Sequence, residues 1–131
     1  MRYFVSGHRD LTFEEFEKHY LPIIDNVLSE DAFAEFIVGD WEGCDLMTVE
    51  YLTLLPRKIP KITIYYVENV RMRPFRDSIY NVENVYFKEK STYDECDASM
   101  TMDSDFDIAW VRPGRENSHT ANNIRRRYGF K

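Results

Sequence analysis

Three short turns in this sequence carry residue types that could bind an anionic ligand. They are Ser6-Gly7-His8-Arg9, residues 39–45 and residues 114–123. Glycine lets the backbone approach a ligand closely, and arginine matches a phosphate group through two parallel hydrogen bonds. Backbone N–H groups at a helix start and side-chain hydroxyl groups also donate to phosphate oxygens. The chemistry that these turns share is therefore phosphate recognition.

The candidate ligand-binding residues are the small, polar and charged members of the three turns. They are Ser6, Gly7, His8, Arg9, Gly39, Asp40, Gly43, Cys44, Asp45, Gly114, Ser118, Thr120 and Asn123. Two of them have structural alternatives, because His8 could be a hydrogen-bonded turn residue and Cys44 a small packing residue instead of a reactive thiolate. The two cysteines lack the spacing of a metal or redox site, and we expect neither a metal nor a cofactor.

Each turn follows an apolar run that predicts a strand. The predicted strands cover residues 2–5, 35–38, 62–67 and 106–111, with a further short strand at 85–87. Because strands alternate with helical patterns, we predict one three-layer α/β domain over residues 1–131, with a mostly parallel sheet. The carboxyl ends of parallel strands share one edge of the sheet, where ligands bind. The three turns should therefore converge there on one pocket.

Helices are predicted from capping signals and apolar periodicity. Thr12 and Glu15 form a capping box before the first helix, which Pro22 should kink, and Asp45 is the expected N-cap of a helix that ends before Pro56. The apolar stripe of the first helix consists of Phe13, Phe16, Tyr20, Ile23, Ile24 and Val27. The other predicted segments are an irregular connection over residues 69–93, an acidic helix over residues 93–104 and a last helix over residues 120–128.

Composition restricts the classes of partner. A net charge of −6 argues against general nucleic-acid binding, and no apolar run approaches the roughly 20 residues of a membrane span. A strand-like segment begins at once and leaves no room for a signal peptide, so we expect a cytoplasmic protein. The aromatic share of 15% suits an oligomer interface, where aromatic residues are enriched, and we expect a homo-oligomer.

The order of these motifs resembles the SLOG superfamily, which includes Smf/DprA-like and LOG phosphoribohydrolase-like proteins and small phage and bacterial relatives. The resemblance covers most of the chain and rests on Ser6-Gly7-His8-Arg9, Val38-Gly39-Asp40, Gly43-Cys44-Asp45, Met100, Ser104-Asp105, Ile108-Ala109-Trp110, Pro113-Gly114, Ser118-His119-Thr120 and Asn123-Ile124. It implies a Rossmann-like fold that binds a nucleotide or a nucleotide-derived ligand. It also implies that Ser6 and Gly7 form the first phosphate-facing loop, and that Gly114, Ser118 and Thr120 stand in the family's glycine-rich loop.

The sequence departs from the enzymes of that family at the catalytic position. They carry a glutamate just after the glycine-rich loop, whereas Ala121, Asn122 and Asn123 follow Thr120 here. Cleavage of an N-glycosidic bond needs a carboxylate at the sugar, and the candidates near the expected pocket are Asp40, Asp45 and Glu50. We therefore predict binding without turnover. The alternatives are an N-glycosidase or deoxyribosyltransferase-like enzyme acting on nucleoside monophosphates, and an interaction protein that has kept the fold.

Overall fold

A computed structural model of the chain describes residues 1–67 and 82–129. Its strands form one sheet, in which every neighbouring pair is parallel. In chain order they are β1 (Arg2–Ser6), β2 (Glu35–Val38), β3 (Lys61–Tyr66), β4 (Val85–Glu89) and β5 (Phe106–Ala109). The spatial order is β4-β3-β2-β1-β5. The predicted Rossmann-like α/β fold is confirmed, and the short strand predicted at 85–87 belongs to β4.

Helices alternate with the strands along the described chain. They are α1 (Phe13–His19), α2 (Leu21–Glu30), α3 (Cys44–Leu54), α4 (Tyr93–Asp103) and α5 (His119–Arg127). None of these helices is long and apolar enough to cross a membrane. The part of the predicted irregular connection over 68–81 lies outside the described residues.

Alternating side chains of the strands build one core on each face of the sheet. Val5 of β1 belongs to the larger core, which also holds buried residues of α1, α2 and α3. Phe4, its neighbour in sequence, belongs to the smaller core with Cys96 and Met100 of α4. Successive side chains of a strand point to opposite faces, so β1 is covered by helices on both sides. The domain therefore has three layers, with the sheet in the middle.

The sheet contains one point at which the direction of the chain reverses. From β1 the chain moves through β2 and β3 to β4, always away from β1, and then returns to place β5 on the other side of β1. Loops that leave β1 and β5 consequently separate, and a crevice opens between them at the carboxyl edge. This topological switch point is where a ligand is expected to bind.

The prediction of a single helix kinked at Pro22 is wrong. Two helices are present, with Tyr20 as the C-cap of α1 and the N-cap of α2. Pro22 lies in the first turn of α2, where its missing N–H group has no helical partner to lose. The break also turns two members of the predicted apolar stripe, Phe13 and Ile23, towards solvent.

Two helix starts also differ from prediction. Asp45 is not an N-cap: α3 starts one residue earlier, after Gly43, whose φ of 77° favours glycine. The last helix starts at His119 and is capped by Ser118, so that Thr120 lies inside its first turn. Both shifts follow from loop geometry that the periodicity of apolar residues does not record.

The hydroxyl group of Tyr20 joins the two strands beside the crevice. It donates to the carbonyl oxygen of Ser6 at 2.7 Å and accepts from the N–H group of Trp110 at 3.0 Å. The side chain is fully buried, and a Cβ atom on Gly7 would lie only 2.5 Å from its hydroxyl oxygen. Gly7 is therefore needed to let Tyr20 reach the ends of β1 and β5.

We predict that Tyr20→Phe lowers the free energy of unfolding by about 1–3 kcal/mol, because buried backbone groups lose their partner. Chemical denaturation at neutral pH measures the change. Tyr51→Phe is the matched control, since its hydroxyl donates to the exposed Asp25 and both groups return to water. Equal losses of unfolding free energy in Tyr20→Phe and Tyr51→Phe would show that the Tyr20 bridge stabilises the fold no more than an exposed hydrogen bond does.

Candidate functional site

A cleft of about 530 Å³ lies at the carboxyl edge of the sheet. This volume is within the range of small-molecule sites in proteins, roughly 300–1,000 Å³. Residues from all three predicted turns line it, namely Ser6, Gly7, His8, Arg9, Gly39, Asp40, Asp45, Ser118, Thr120 and Asn123. The turns therefore do converge, as expected for loops that follow parallel strands.

Other candidates from the sequence do not line this cleft. Gly43 packs against the first turn, where a Cβ atom would lie 2.2 Å from the carbonyl oxygen of Arg9. Cys44 is fully buried beside Tyr20, and burial raises the pKa of its thiol, which opposes a reactive thiolate. Gly114 lies in open space with a φ of 88°, and Glu50 is exposed on α3.

The N-terminus of α3, predicted as an anion site, is partly used by contacts within the protein. The N–H group of Cys44 donates to the carbonyl oxygen of His8 at 3.3 Å. Asp45 places its carboxylate in the same turn and accepts from the N–H group of Trp41 at 3.2 Å. A carboxylate near a helix N-terminus disfavours a second anion there by repulsion. Cys44 and Leu46 of the first turn of α3 do not line the cleft. The second turn therefore mainly supports the first turn.

The N-terminus of α5 is different. Ser118 caps it by accepting from the N–H group of Ala121 at 3.2 Å, and Asn122 makes the first hydrogen bond of the helix, to the carbonyl oxygen of Ser118. No group within residues 1–67 and 82–129 accepts from the N–H groups of His119 and Thr120. Both residues line the cleft. Their N–H groups and the helix dipole favour an anion there.

Ser6 supplies an independent sign of a ligand. Its side chain is 6% exposed, and its hydroxyl oxygen has no hydrogen-bond partner among the described residues. A buried hydroxyl without a partner costs stability, so native proteins rarely retain one without a reason. Ser6 is the last residue of β1, pairs in register with Ala109 of β5 and lines the cleft. It therefore offers a donor at the switch point.

Trp41 connects the walls at the cleft mouth. The guanidinium group of Arg9 lies 5.1 Å from the centre of the Trp41 ring, within cation–π range, and the ring of His119 lies 6.3 Å away. Neither Trp41 nor His119 was predicted as a site residue. The position of Trp41 inside the second turn, between Gly39 and Gly43, is the signal that could have identified it.

His8 is held as a hydrogen-bond acceptor. Its Nε2 atom accepts from the N–H group of Arg112 at 2.9 Å. Burial lowers the pKa of this histidine, and the charges of Arg115 and Arg112 lower it further. A neutral ring that accepts through Nε2 carries its proton on Nδ1. His8 is thus unsuited to be a cationic phosphate ligand, although it lines the cleft.

Carboxylates line the cleft as well. Asp40 is 1% exposed and accepts from the hydroxyl group of Tyr93 at 3.3 Å. Asp97 on α4 lies 3.7 Å from Nδ1 of His119. In the described part of the chain, no three His, Cys, Asp or Glu side chains are grouped so that they could hold a metal ion. Asp97 and its neighbours on α4 were not predicted as site residues, because the sequence of the acidic helix does not indicate that it packs over β1 and β3.

Arg112 fixes the two loops that flank the switch point. Its guanidinium group binds Glu15 through two hydrogen bonds, at 3.0 and 2.7 Å, and reaches Asp10 at 3.2 Å. Glu15 also accepts from the N–H group of Thr12 at 3.0 Å, which completes the capping box of α1. The hydrogen bonds to Arg112 and Thr12 lower the pKa of Glu15 to about 2. The loop after β5 is thereby tied to the start of α1.

Comparisons with known proteins do not assign the chain to a family. No protein-family model matches it, and no significant match is found among curated proteins or solved structures. The Rossmann-like fold is therefore established by the topology alone, and the resemblance to the SLOG superfamily stays a prediction.

The low pKa of Glu15 predicts a pH-dependent contribution to stability. Because the pKa in the folded state is about 2 against an ordinary value of 4.5, this contribution is complete above the ordinary value and is lost as the pH falls towards 2. Between about pH 5.5 and pH 3 we expect wild type to lose about 1 kcal/mol more of its unfolding free energy than Glu15→Gln. This figure is reduced for the partial exposure of the pair.

Denaturant titrations of both proteins at each pH provide the measurement. Glu14→Gln is the matched control, because Glu14 is exposed on the same helix turn. Parallel stability curves for wild type and Glu15→Gln would contradict the assigned role of the Arg112 contact.

Proposed function

We propose that this protein binds a nucleotide or nucleotide-derived ligand in the cleft, with a phosphate group at the N-terminus of α5. The observation that carries the proposal is the buried, unpartnered hydroxyl group of Ser6, which lines the same cleft as the unpaired N–H groups of His119 and Thr120. Donors without acceptors from two neighbouring strand ends are what a phosphate oxygen requires.

The cationic side chains support the same position for the phosphate. Arg9 and Arg115 both line the cleft, one from the turn after β1 and the other from the loop before α5. The Arg9 guanidinium is held over Trp41, and its fork of N–H donors suits the oxygens of a phosphate. The N-terminus of α3 suits a phosphate less well, because the N–H group of Cys44 is bound to His8 and the carboxylate of Asp45 lines the cleft beside it.

The rest of the cleft is larger and chemically different from a phosphate site. Aromatic rings of Trp41, Tyr65 and Tyr93 line it together with the carboxylates of Asp40 and Asp97. Flat rings stack on nucleobases, and carboxylates accept hydrogen bonds from sugar hydroxyl groups or exocyclic amines. A ligand with a base, a sugar and a phosphate satisfies all of these groups, whereas inorganic phosphate would leave most of the volume empty.

Binding without hydrolysis is the favoured form of this function. Just after the loop, where the phosphoribohydrolases that the sequence resembles carry a glutamate, this chain has Ala121, Asn122 and Asn123, of which Asn123 lines the cleft. An amide can neither attack nor stabilise a sugar cation as a carboxylate does. Asn123 therefore suits recognition better than catalysis.

A second candidate is cleavage or transfer at an N-glycosidic bond. The observation that favours it is Asp40, a carboxylate that is almost completely buried, lines the cleft and accepts from Tyr93. A carboxylate with a tyrosine donor is a pair that could stabilise an oxocarbenium-like sugar. Asp45 also lines the cleft, whereas the third candidate, Glu50, does not.

For the binding function we predict that Ser6→Ala weakens affinity for a nucleoside monophosphate about ten-fold or more. A hydrogen bond to a charged group contributes roughly 1.5–3 kcal/mol, and about 1.4 kcal/mol corresponds to ten-fold. The same change should leave the unfolding free energy unchanged or slightly higher, because the hydroxyl has no partner to lose. Calorimetry with a panel of nucleoside monophosphates and denaturant titration measure the two effects.

Ser104→Ala is the matched control for this prediction. Ser104 is also buried, but its hydroxyl donates to the carbonyl oxygen of Met100 at 2.6 Å and accepts from Arg127, outside the cleft. The Ser104→Ala variant should lose about 1–2 kcal/mol of unfolding free energy and keep its affinity for the nucleoside monophosphate. A Ser6→Ala protein that is destabilised yet binds as well as wild type would reverse the proposal.

We predict no release of free base when nucleoside monophosphates are incubated with the protein, because asparagines follow Thr120 where the resembling enzymes carry a glutamate. Chromatography of the reaction mixture detects free base directly. Release that disappears in Asp40→Asn, but persists in Glu50→Gln outside the cleft, would favour the enzyme over the binding protein.

A further inference from the structure

We propose that Arg126 sets the ligand preference of the cleft by turning the carboxamide of Asn123, so that its N–H groups face the ligand and read hydrogen-bond acceptors such as phosphoryl oxygens. This inference rests on the proposed function, since it specifies the chemistry of the same site.

The orientation of Asn123 follows from the chemistry of its partner. Nη1 of Arg126 donates to Oδ1 of Asn123 at 2.7 Å. A guanidinium group has only donors, so the amide atom that faces it must be the oxygen and not the nitrogen. The assignment of oxygen and nitrogen in this side chain is therefore determined by Arg126, where an isolated amide would be ambiguous.

The amide nitrogen is consequently directed away from Arg126. Asn123 is 4% exposed and lines the cleft. Among residues 1–67 and 82–129, no acceptor receives a hydrogen bond from its Nδ2 atom. A ligand in the cleft is positioned to accept from this nitrogen in place of water.

The neighbouring arginines do not share this role. Arg125 binds Oδ1 of Asn122 at 2.9 Å and the carbonyl oxygen of Glu116, and Asn122 is exposed. Arg127 forms an ion pair with Asp107 of β5, at 2.9 Å, and anchors α5 to the sheet. Three consecutive arginines thus have three different partners, and Arg126 is the one whose partner lines the cleft.

The consequence is a group of several donors in the cleft beside the start of α5. Ser6 contributes a hydroxyl, His119 and Thr120 contribute backbone N–H groups, and Asn123 contributes two amide N–H groups. A phosphoryl group, which offers only acceptors when ionised, matches this set. The unphosphorylated nucleoside lacks such a group, and the site should discriminate strongly between the two.

The binding experiment compares a nucleoside monophosphate with its parent nucleoside by calorimetry. Arg126→Met keeps the length and the helix propensity of the side chain but removes its donors. Affinity for the monophosphate should fall about five- to ten-fold, or roughly 1.0–1.4 kcal/mol, while affinity for the nucleoside should change less than about two-fold. Arg126→Lys, which restores a donor, should recover much of this loss. Arg125→Met removes the same charge from the same helix and should change neither affinity by more than about two-fold.

Asn123→Asp tests the amide itself. Its carboxylate can still accept from Arg126, so the helix should remain folded, but acceptors then face the cleft. Monophosphate affinity should fall by at least about ten-fold through repulsion. Unchanged affinity in this variant, or equal losses in Arg126→Met and Arg125→Met, would overturn the inference.

A spectroscopic measurement tests the positioning without any ligand. The side-chain amide resonances of Asn123, identified by their absence in Asn123→Asp, should move in Arg126→Met and stay in place in Arg125→Met. Asn123 amide resonances that stay in place in both Arg126→Met and Arg125→Met would refute the role of Arg126 even if nucleotides bind. If the amide moves as expected but wild type binds no nucleotide in the panel, the proposed function fails while the positioning contact stands.

Discussion

The Tyr20 hydroxyl bridge is the interaction on which the crevice depends. It joins the carbonyl oxygen of Ser6 to the N–H group of Trp110, at the carboxyl ends of β1 and β5. The ladder pairs these neighbouring strands as far as Ser6 and Ala109, and the hydroxyl of Tyr20 extends the connection one residue further, to Trp110. A buried phenol that satisfies both groups at once keeps the walls at a fixed distance. Gly7 leaves space for the Tyr20 hydroxyl, because a Cβ atom there would clash with it. Tyr20 itself lies at the break between α1 and α2, where it is the C-cap of α1.

The first two turns then act as one support. Gly43 and Cys44 pack beneath the turn after β1, and the N–H group of Cys44 is satisfied by His8. Arg112 completes the support from the other strand end through His8 and Glu15. The start of α3 stabilises the loop after β1 through Cys44, whereas the unpaired N–H groups at the start of α5 belong to residues that line the cleft. Similar glycine-containing turns in one sheet thus have different chemistry because different residues surround their helix starts.

Charged and polar groups of both kinds line the cleft. Donors come from Ser6, the start of α5 and Asn123, and the carboxylates include those of Asp40 and Asp97. Asp97 lies 3.7 Å from Nδ1 of His119, so a carboxylate stands beside the donors at the start of α5. The helices that carry these two residues, α4 and α5, pack against each other. A ligand that has an anionic group together with hydroxyl or amine groups can therefore use both sets.

The sequence by itself determined the strand positions, the parallel α/β class and the edge at which the turns meet, because period-two and helical patterns together with turn residues are local signals. It also identified most cleft residues from the turns, including Ser6, Thr120 and Asn123. Only the tertiary structure decided which helix start places unpaired N–H groups along the cleft. The hydrogen bonds of Cys44 to His8, Trp110 to Tyr20 and Arg112 to Glu15 join distant parts of the chain, and no local pattern encodes them. The contribution of α4 to the cleft was equally hidden, since a helix shows its apolar face in sequence but not the strand that it covers.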